Sequence, residues 1–449
     1  MKERPLEEHP PIVPSKAPQG GEIRTRWVWV EPEVWTEPML TALEKGVRGG
    51  KWFRLFDKVF AEKNLFASHR KVSANKGSPG VDHVTIEEFS QHLIPNVERL
   101  TAALRNGSYK PQAIRRMMIP KPGSKEQRPL GIPTVRDRIV QGSVRHVLEP
   151  IFEREFAEQS YGFRPGRGCK DALRRVDSLL KEGYEYVADI DLKSYFDSIP
   201  HDRLMTRLRE KVADGRVLDL VESFLKAGIL EGFAEMEPEM GVPQGAVLSP
   251  LLSNIYLNPL DHLMVTKGFE MVRYADDFVV MCKSREEAEQ ALATVRQWCE
   301  AEGLRVHPTK TRVVSVRMEG FDFLGYHFQA TKRGRLTRWP RKKSLMKLKD
   351  TIRSKTGRTN GSSLEYIILN INRTLRGWYG YFKHSCRQTF RQIDTWVRGR
   401  LRTLIRKRTK RSGLAKGEDH MRYRISLFED LRLFNLTTAH DLEGQPTRG

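Results

Sequence analysis

The sequence predicts an α+β protein in which a region of mixed strands and helices precedes a helical, strongly basic one, and three observations carry that prediction. β-prone runs at residues 184–192 and 271–281 alternate with helical periodicity at 286–299, followed by further short runs at 304–311 and 313–316, the pattern of a split βαβ unit. Of 78 Lys and Arg, 25 lie in residues 331–411 beside only Asp350, Glu365 and Asp394, which leaves the rest of the chain balanced at 53 basic and 53 acidic residues. Within that basic segment Leu364, Ile367, Ile368, Ile371, Leu375, Trp378 and Phe382 recur at helical spacing. A domain boundary near residue 330 follows.

Taken in order, the 449 residues open on a stretch with five prolines before Gly21, and residues 1–34 are expected to form a flexible tail. A helix is predicted over 37–47, with Pro38 tolerated in its first turn. The stretch 52–65 leads to a Gly/Pro turn at 75–82, a second helix is predicted over 93–104, and a β-prone run at 113–119 ends in a turn at 120–123. No run approaches the ~20 apolar residues of a membrane span, so neither an anchor nor a secretion signal is expected. Cys169, Cys282, Cys299 and Cys386 are too scattered for a zinc or disulfide framework, which fits a reducing cytoplasm.

Charge and hydrophobicity together exclude collagen-like, mucin-like and wholly disordered chains: the net charge is +22 and 39% of residues are hydrophobic. An excess of this size calls for a polyanion. Because Trp378, Tyr379 and Tyr381 interleave the basic residues, the segment reads as a phosphate-backbone surface, with a solvated basic face as the alternative.

The chemistry lies further upstream. Asp189 and Asp191 close the first β-prone run, Asp197 follows, and Asp276 and Asp277 sit between two apolar strands at the tip of a predicted hairpin. A hairpin tip is also an ordinary place for solvated aspartates. Together, however, a strand-end carboxylate and a neighbouring carboxylate pair can hold two divalent cations about 3.5–4 Å apart for in-line phosphoryl transfer. Oxygen-only ligands favour Mg²⁺ over zinc.

These residues resemble a known family. Tyr274-Ala275-Asp276-Asp277 is similar to the Y-x-D-D box of reverse transcriptases, and Asp191-Leu192-Lys193-Ser194-Tyr195-Phe196-Asp197 to their first catalytic motif. Residues 75–82 (NKGSPGVD), 119–122 (IPKP) with 128–134 (RPLGIPT), and 161–167 (YGFRPGR) resemble finger motifs of group II intron reverse transcriptases. Residues 241–245 (GVPQG), Gly303-Leu304 with Lys310-Thr311, and 323–326 (FLGY) resemble the palm motifs, and 376–382 (RGWYGYF) the maturase domain that follows.

The resemblance implies a right-hand polymerase: fingers over 35–170, a palm with a split βαβ catalytic core over 171–330, a basic α-helical thumb/maturase domain over 331–411, and a small appendage over 412–449. It implies that Asp191, Asp276 and Asp277 ligate two Mg²⁺ ions, for which Mn²⁺ can substitute, and that they catalyse dNTP addition to a primer 3′-OH on an RNA template. Asp189 is assigned to the strand or a surface pair. Lys121, Arg128, Phe196 and Gln244 become dNTP-binding candidates, with Phe196 as a gate against the sugar 2′-OH, and Lys310 a candidate general acid. Arg164, Arg167, Arg341, Lys342, Lys343 and Arg376 become RNA-binding candidates.

Expected partners are group II intron RNA or another RNA template, DNA primer and target, and dNTPs, with no membrane, as a monomer or a homodimer in a bacterial cytoplasm. The sequence departs from many relatives after residue 411, where no cysteine pairs of an H-N-H endonuclease occur, so autonomous second-strand cleavage is not expected. A domesticated enzyme of DNA repair or phage defence and a splicing-only maturase remain as alternatives.

Overall fold

The computed structural model describes residues 21–120, 127–231, 234–236, 238–331, 333–357, 359–411, 413–415 and 417–443. Its strands are β1 (Ile114–Pro120), β2 (Gln127–Ile132), β3 (Tyr186–Asp191), β4 (Ile229–Glu231), β5 (Ala234–Met236), β6 (Glu270–Tyr274), β7 (Asp277–Cys282), β8 (Arg312–Ser315), β9 (Phe321–Phe323), β10 (Tyr326–Ala330) and β11 (Leu336–Pro340). They form three sheets, ordered β2-β1-β4-β5, β6-β7-β3-β8 and β11-β10-β9. No helix among the described residues is long and apolar enough to cross a membrane.

The chain divides into two compact units, the first made of the described residues up to Pro120 with Gln127–Lys181 and Ala188–Val313, the second of Glu182–Val187 and the residues from Val314 onward. The expected boundary near 330 therefore falls earlier. The strands β9 to β11 share a unit with the basic helices, because Tyr326 and Tyr381 exchange hydrogen bonds with the other's neighbourhood: Tyr326 donates to Tyr381 O and Tyr381 to Leu324 O, both at 2.7 Å.

In the first unit two helices are buried on nearly every side, and the helix Val135–Glu153 takes polar Asp137, Gln141 and His146 into the interior with it. Thr134 caps the helix Val135–Glu153 by accepting from the Asp137 N–H. The helix Ser249–Thr266 buries Leu251, Leu252, Ile255, Tyr256, Leu257, Leu260 and Met264. Near-continuous apolar runs make β6 and β7 interior strands, with Met271, Val272 and every residue from Phe278 to Cys282 buried. The predicted helices over 37–47, 93–104 and 286–299 form as Glu37–Lys45, Leu93–Asn106 and Arg285–Ala301.

Two expectations need correction. The N-terminal segment is folded from Gly21 onward: Trp27, Val30, Val34 and Trp35 are buried, and the Trp35 indole donates to His146 O at 2.9 Å. Apolar residues spaced along 27–35 outweigh the proline-rich composition before them; residues 1–20 lie outside the described residues. The segment after residue 411 is likewise no appendage. Its helices Ile425–Asp430 and Leu436–Glu443 contribute Phe428 and Leu436, and the link after the helix Gly417–Arg422 contributes Tyr423, to the apolar core that Ile367, Ile371, Leu375, Phe390, Ile393 and Leu401 form from the helices Leu364–Phe382 and Arg387–Arg408. Buried Asp394 fastens it by accepting from the amides of Leu436 (3.0 Å) and Thr437 (2.9 Å), and Asn372 holds Arg432 O and the Phe434 N–H, each at 2.7 Å.

Phe428 is 1% exposed, so Phe428→Ala is expected to cost about 3–5 kcal/mol in the urea unfolding of this unit. A detached appendage would leave the unfolding midpoint unchanged.

Candidate active site

The hairpin formed by β6 and β7 closes on two residues, Ala275 and Asp276, with Tyr274 opposite Asp277 in the register. Ala275 adopts φ 58°, the left-handed region in which a side chain is disfavoured by about 1–2 kcal/mol. A fully buried guanidinium supports this turn. Arg273 donates to Ala275 O (2.9 Å) and Asn254 Oδ1 (3.0 Å) through Nη1, to Ser160 Oγ (2.8 Å) and Asp261 Oδ2 (2.5 Å) through Nη2, and to Asp261 Oδ1 (2.7 Å) through Nε. All five of its N–H donors are engaged, the condition under which a buried charge is tolerated. Arg273, Asp261, Asn254 and Ser160 escaped sequence reasoning; Asn254 and Asp261, polar residues among the Leu, Ile and Tyr of the helix Ser249–Thr266, were the available signal.

The turn at 161–167 rests on this hairpin. A Cβ on Gly162 would lie 2.3 Å from the Ala275 nitrogen, so only glycine permits the approach, and Asn254 Nδ2 donates to Gly162 O at 2.8 Å. The two arginines of this turn differ, and Arg164 contradicts its expected role. Arg164 is buried, paired with Glu153 at 2.7 Å, and donates to Ala157 O and Ser160 O, so it is structural and cannot reach RNA. Arg167 is tied to the Glu158 carboxylate and lies over the Tyr161 ring. Phe163 is exposed. Burial raises the pKa of Glu153, and its partner Arg164 opposes that rise.

Asp191 ends β3, one strand from β7. Its backbone is stitched to the segment before β8: His307 N–H donates to Asp191 O at 2.7 Å and Lys193 N–H to Arg305 O at 2.8 Å. The Asp191 carboxylate carries the Lys310 ammonium at 2.8 Å, while Asp189 faces Arg312 at 3.7 Å, a surface pair as expected. Burial raises the pKa of Asp276, and the Asp191 charge adds to the rise, whereas a backbone N–H, Arg128 and Arg273 oppose it. Asp191 and Asp276 thus press on one another electrostatically. Asp277 is exposed. Among the described residues no three His, Cys, Asp or Glu side chains already converge as a metal-binding group.

Arg128 and Gln244, expected together, meet: Arg128 Nε donates to Gln244 Oε1 at 2.6 Å. Gly245 makes this possible, because at φ 105° a Cβ would lie 2.7 Å from Gly131 O, and the close approach lets the Gly131 N–H reach Gln244 O at 2.7 Å. Gln244 and Asp197 line one cleft of about 380 Å³ with Arg116, Gly241 and Met240. Burial raises the pKa of Asp197, opposed by Arg116 and Arg128. Phe196 is buried with its ring 5.4 Å from that of Tyr195. Lys121 lies outside the described residues. In the second unit Lys342 and Lys343 are exposed in the first turn of the helix Lys342–Lys355, Arg341 precedes them half-buried, and Arg376 is exposed over the Phe434 ring.

The family of reverse transcriptases (RNA-dependent DNA polymerases) matches residues 119–328, and the group II intron maturase-specific domain matches residues 345–423. The group II intron-encoded protein LtrA of Lactococcus lactis subsp. cremoris is 37% identical over 214 residues, 47% of this chain but only 35% of LtrA. Protein YkfC of Escherichia coli (strain K12) is 33% identical over 362 residues, covering 71% of this chain and 92% of YkfC. With both domains matched in order and nearly the whole of one relative covered, this chain belongs to the family of group II intron reverse transcriptases with a maturase domain.

Proposed function

We propose that this chain is an RNA-directed DNA polymerase that adds dNTPs to a primer 3′-OH on an RNA template, and that it also binds group II intron RNA to assist splicing and mobility. The observation that carries the reading is that β3, which ends in Asp191, pairs beside β7, whose hairpin turn carries Asp276 and Asp277. Reverse transcriptases use divalent metal ions, and the donor chemistry here fits such an ion. The groups are carboxylate oxygens, and two of them repel each other in a partly desolvated setting that a hard cation relieves.

Asp191, Asp276 and Asp277 would hold two Mg²⁺ ions. Bound there, Mg²⁺ would favour the ionised primer hydroxyl and neutralise charge on the phosphate. The chain's own residues do the positioning. Arg273 fixes the turn that aims Asp276 and Asp277, and Arg128, steadied by Gln244, offers a planar guanidinium to an anionic triphosphate. Lys121 is assigned to the same triphosphate by its motif. Phe196, immobilised by burial, suits a steric gate against a 2′-OH. Lys310 stands beside Asp191 as the candidate proton donor to the leaving group.

For intron RNA, the exposed bases of the second unit would neutralise phosphates, so that the compact RNA is stabilised by mass action. Arg341, Lys342, Lys343 and Arg376 are its named contacts, with Arg167 in a lesser role.

Primer extension on an RNA template with Mg²⁺ tests the first part. Wild type should extend, while EDTA or Asp276→Ala/Asp277→Ala should lower the rate by about three orders of magnitude or more. Undiminished extension by the double variant would overturn the assignment. For the second part, glutamate at Arg341, Lys342 and Lys343 together should weaken RNA binding and reduce the slope of log K against log[salt] by about two. An unchanged slope would place the RNA elsewhere.

A further inference from the structure

We propose that Lys310 is a resident counter-ion of Asp191, occupying the carboxylate until a divalent cation replaces it, so that metal entry and release of the ammonium are a single exchange. The inference rests on Asp191 being a metal ligand, as in the reading above.

The geometry singles out this lysine. Its ammonium lies 2.8 Å from Asp191 Oδ2, and the two backbones that carry the pair are locked together. His307 and Lys193 supply the backbone bonds already described, the Asp191 N–H donates to Thr311 Oγ1 at 3.2 Å, and Leu192 bridges Val306. The contact is thus built from a fixed frame, with only the four-carbon lysine stem free to move. The nearby acids and bases are otherwise assigned. Arg312 faces Asp189, and Arg128 holds Gln244 and acts on Asp276 and Asp197. Among the described residues, Lys310 is thus an ion-pair partner of Asp191, placed to offset it against the like charge of Asp276.

The pair is also weak enough to exchange. Lys310 is 61% exposed and Asp191 42%, and ion pairs this open shift an equilibrium by no more than about fivefold. A dication bound through the same carboxylate repels an ammonium a few ångströms away, so the two occupants exclude each other. Once displaced, Lys310 is a mobile cation beside the anionic substrate. Its role in turnover then follows metal binding instead of preceding it.

The exchange is read with MnCl₂ titrated into the full chain without nucleic acid, by calorimetry and by the spin-resonance signal of free Mn²⁺. Lys310→Met should bind Mn²⁺ about three- to fivefold tighter than wild type, and Asp191→Asn should lose the site. In a second arm, wild type carrying ¹³C-methylated lysines should show the Lys310 resonance, identified by its loss in Lys310→Met, shifting on Mg²⁺ addition. In Asp191→Asn it should sit at the released position without metal. Equal or weaker Mn²⁺ binding by Lys310→Met, or a Lys310 resonance indifferent to Mg²⁺, with Asp191→Asn still abolishing the site, would overturn the exchange and leave the metal site standing. Wild-type Mn²⁺ binding by Asp191→Asn would overturn the metal-site reading itself, and the exchange with it.

Discussion

The catalytic turn depends on the buried guanidinium of Arg273. Desolvating a charge costs several kcal/mol, and the cost is offset only when every donor finds an acceptor. Here Asp261 supplies the opposite charge, and Asn254, Ser160 and Ala275 O take the remaining N–H groups. The same set of bonds joins three distant pieces of chain: the loop before Tyr161, the buried helix Ser249–Thr266 and the tip of the β6–β7 hairpin. Ala275 can hold its left-handed φ because its carbonyl is held, and Asp276 and Asp277 inherit their placement from that residue.

From this fixed turn the electrostatics of the site follow. Asp276 is desolvated and feels the charge of Asp191, and three cations offset the two carboxylates: Lys310 paired with Asp191, and Arg128 and Arg273 acting on Asp276. In the proposed reading, the carboxylates would take a hard cation, and a guanidinium steadied by an amide would take a phosphate. Both features belong to phosphoryl-transfer chemistry. The family supplies the class of reaction, and the geometry supplies the division of labour among residues of this chain.

How much of this could be read from sequence depended on whether a residue's role was local. The Tyr-Ala-Asp-Asp hairpin was legible because two apolar runs flank a polar pair within a dozen residues. The basic helices were legible from spacing and charge. Arg164 was misread because charged residues in Gly/Pro turns are usually solvated, and its partner Glu153 lies in a helix that composition gives no reason to link to it. Arg273 was passed over as one polar residue in an apolar strand, since its five acceptors come from three separate segments. The C-terminal helices were set aside for their mixed charge, although Phe428 and Leu436 fill a core whose other wall lies some fifty residues upstream. Packing over long sequence separations is where pattern reading ends.

The most direct test of the account replaces the buried pair by apolar residues of similar volume, Arg273→Met with Asp261→Leu, and compares thermal unfolding with single-turnover primer extension. Such replacement of a buried ion pair commonly leaves stability within a few kcal/mol, so the fold should persist. If Arg273 sets the catalytic turn, the folded double variant should lose polymerisation by about a hundredfold, with dNTP affinity little changed. A folded double variant that extends primers at the wild-type rate would contradict the account, and the placement of Asp276 and Asp277 would have to come from the hairpin alone.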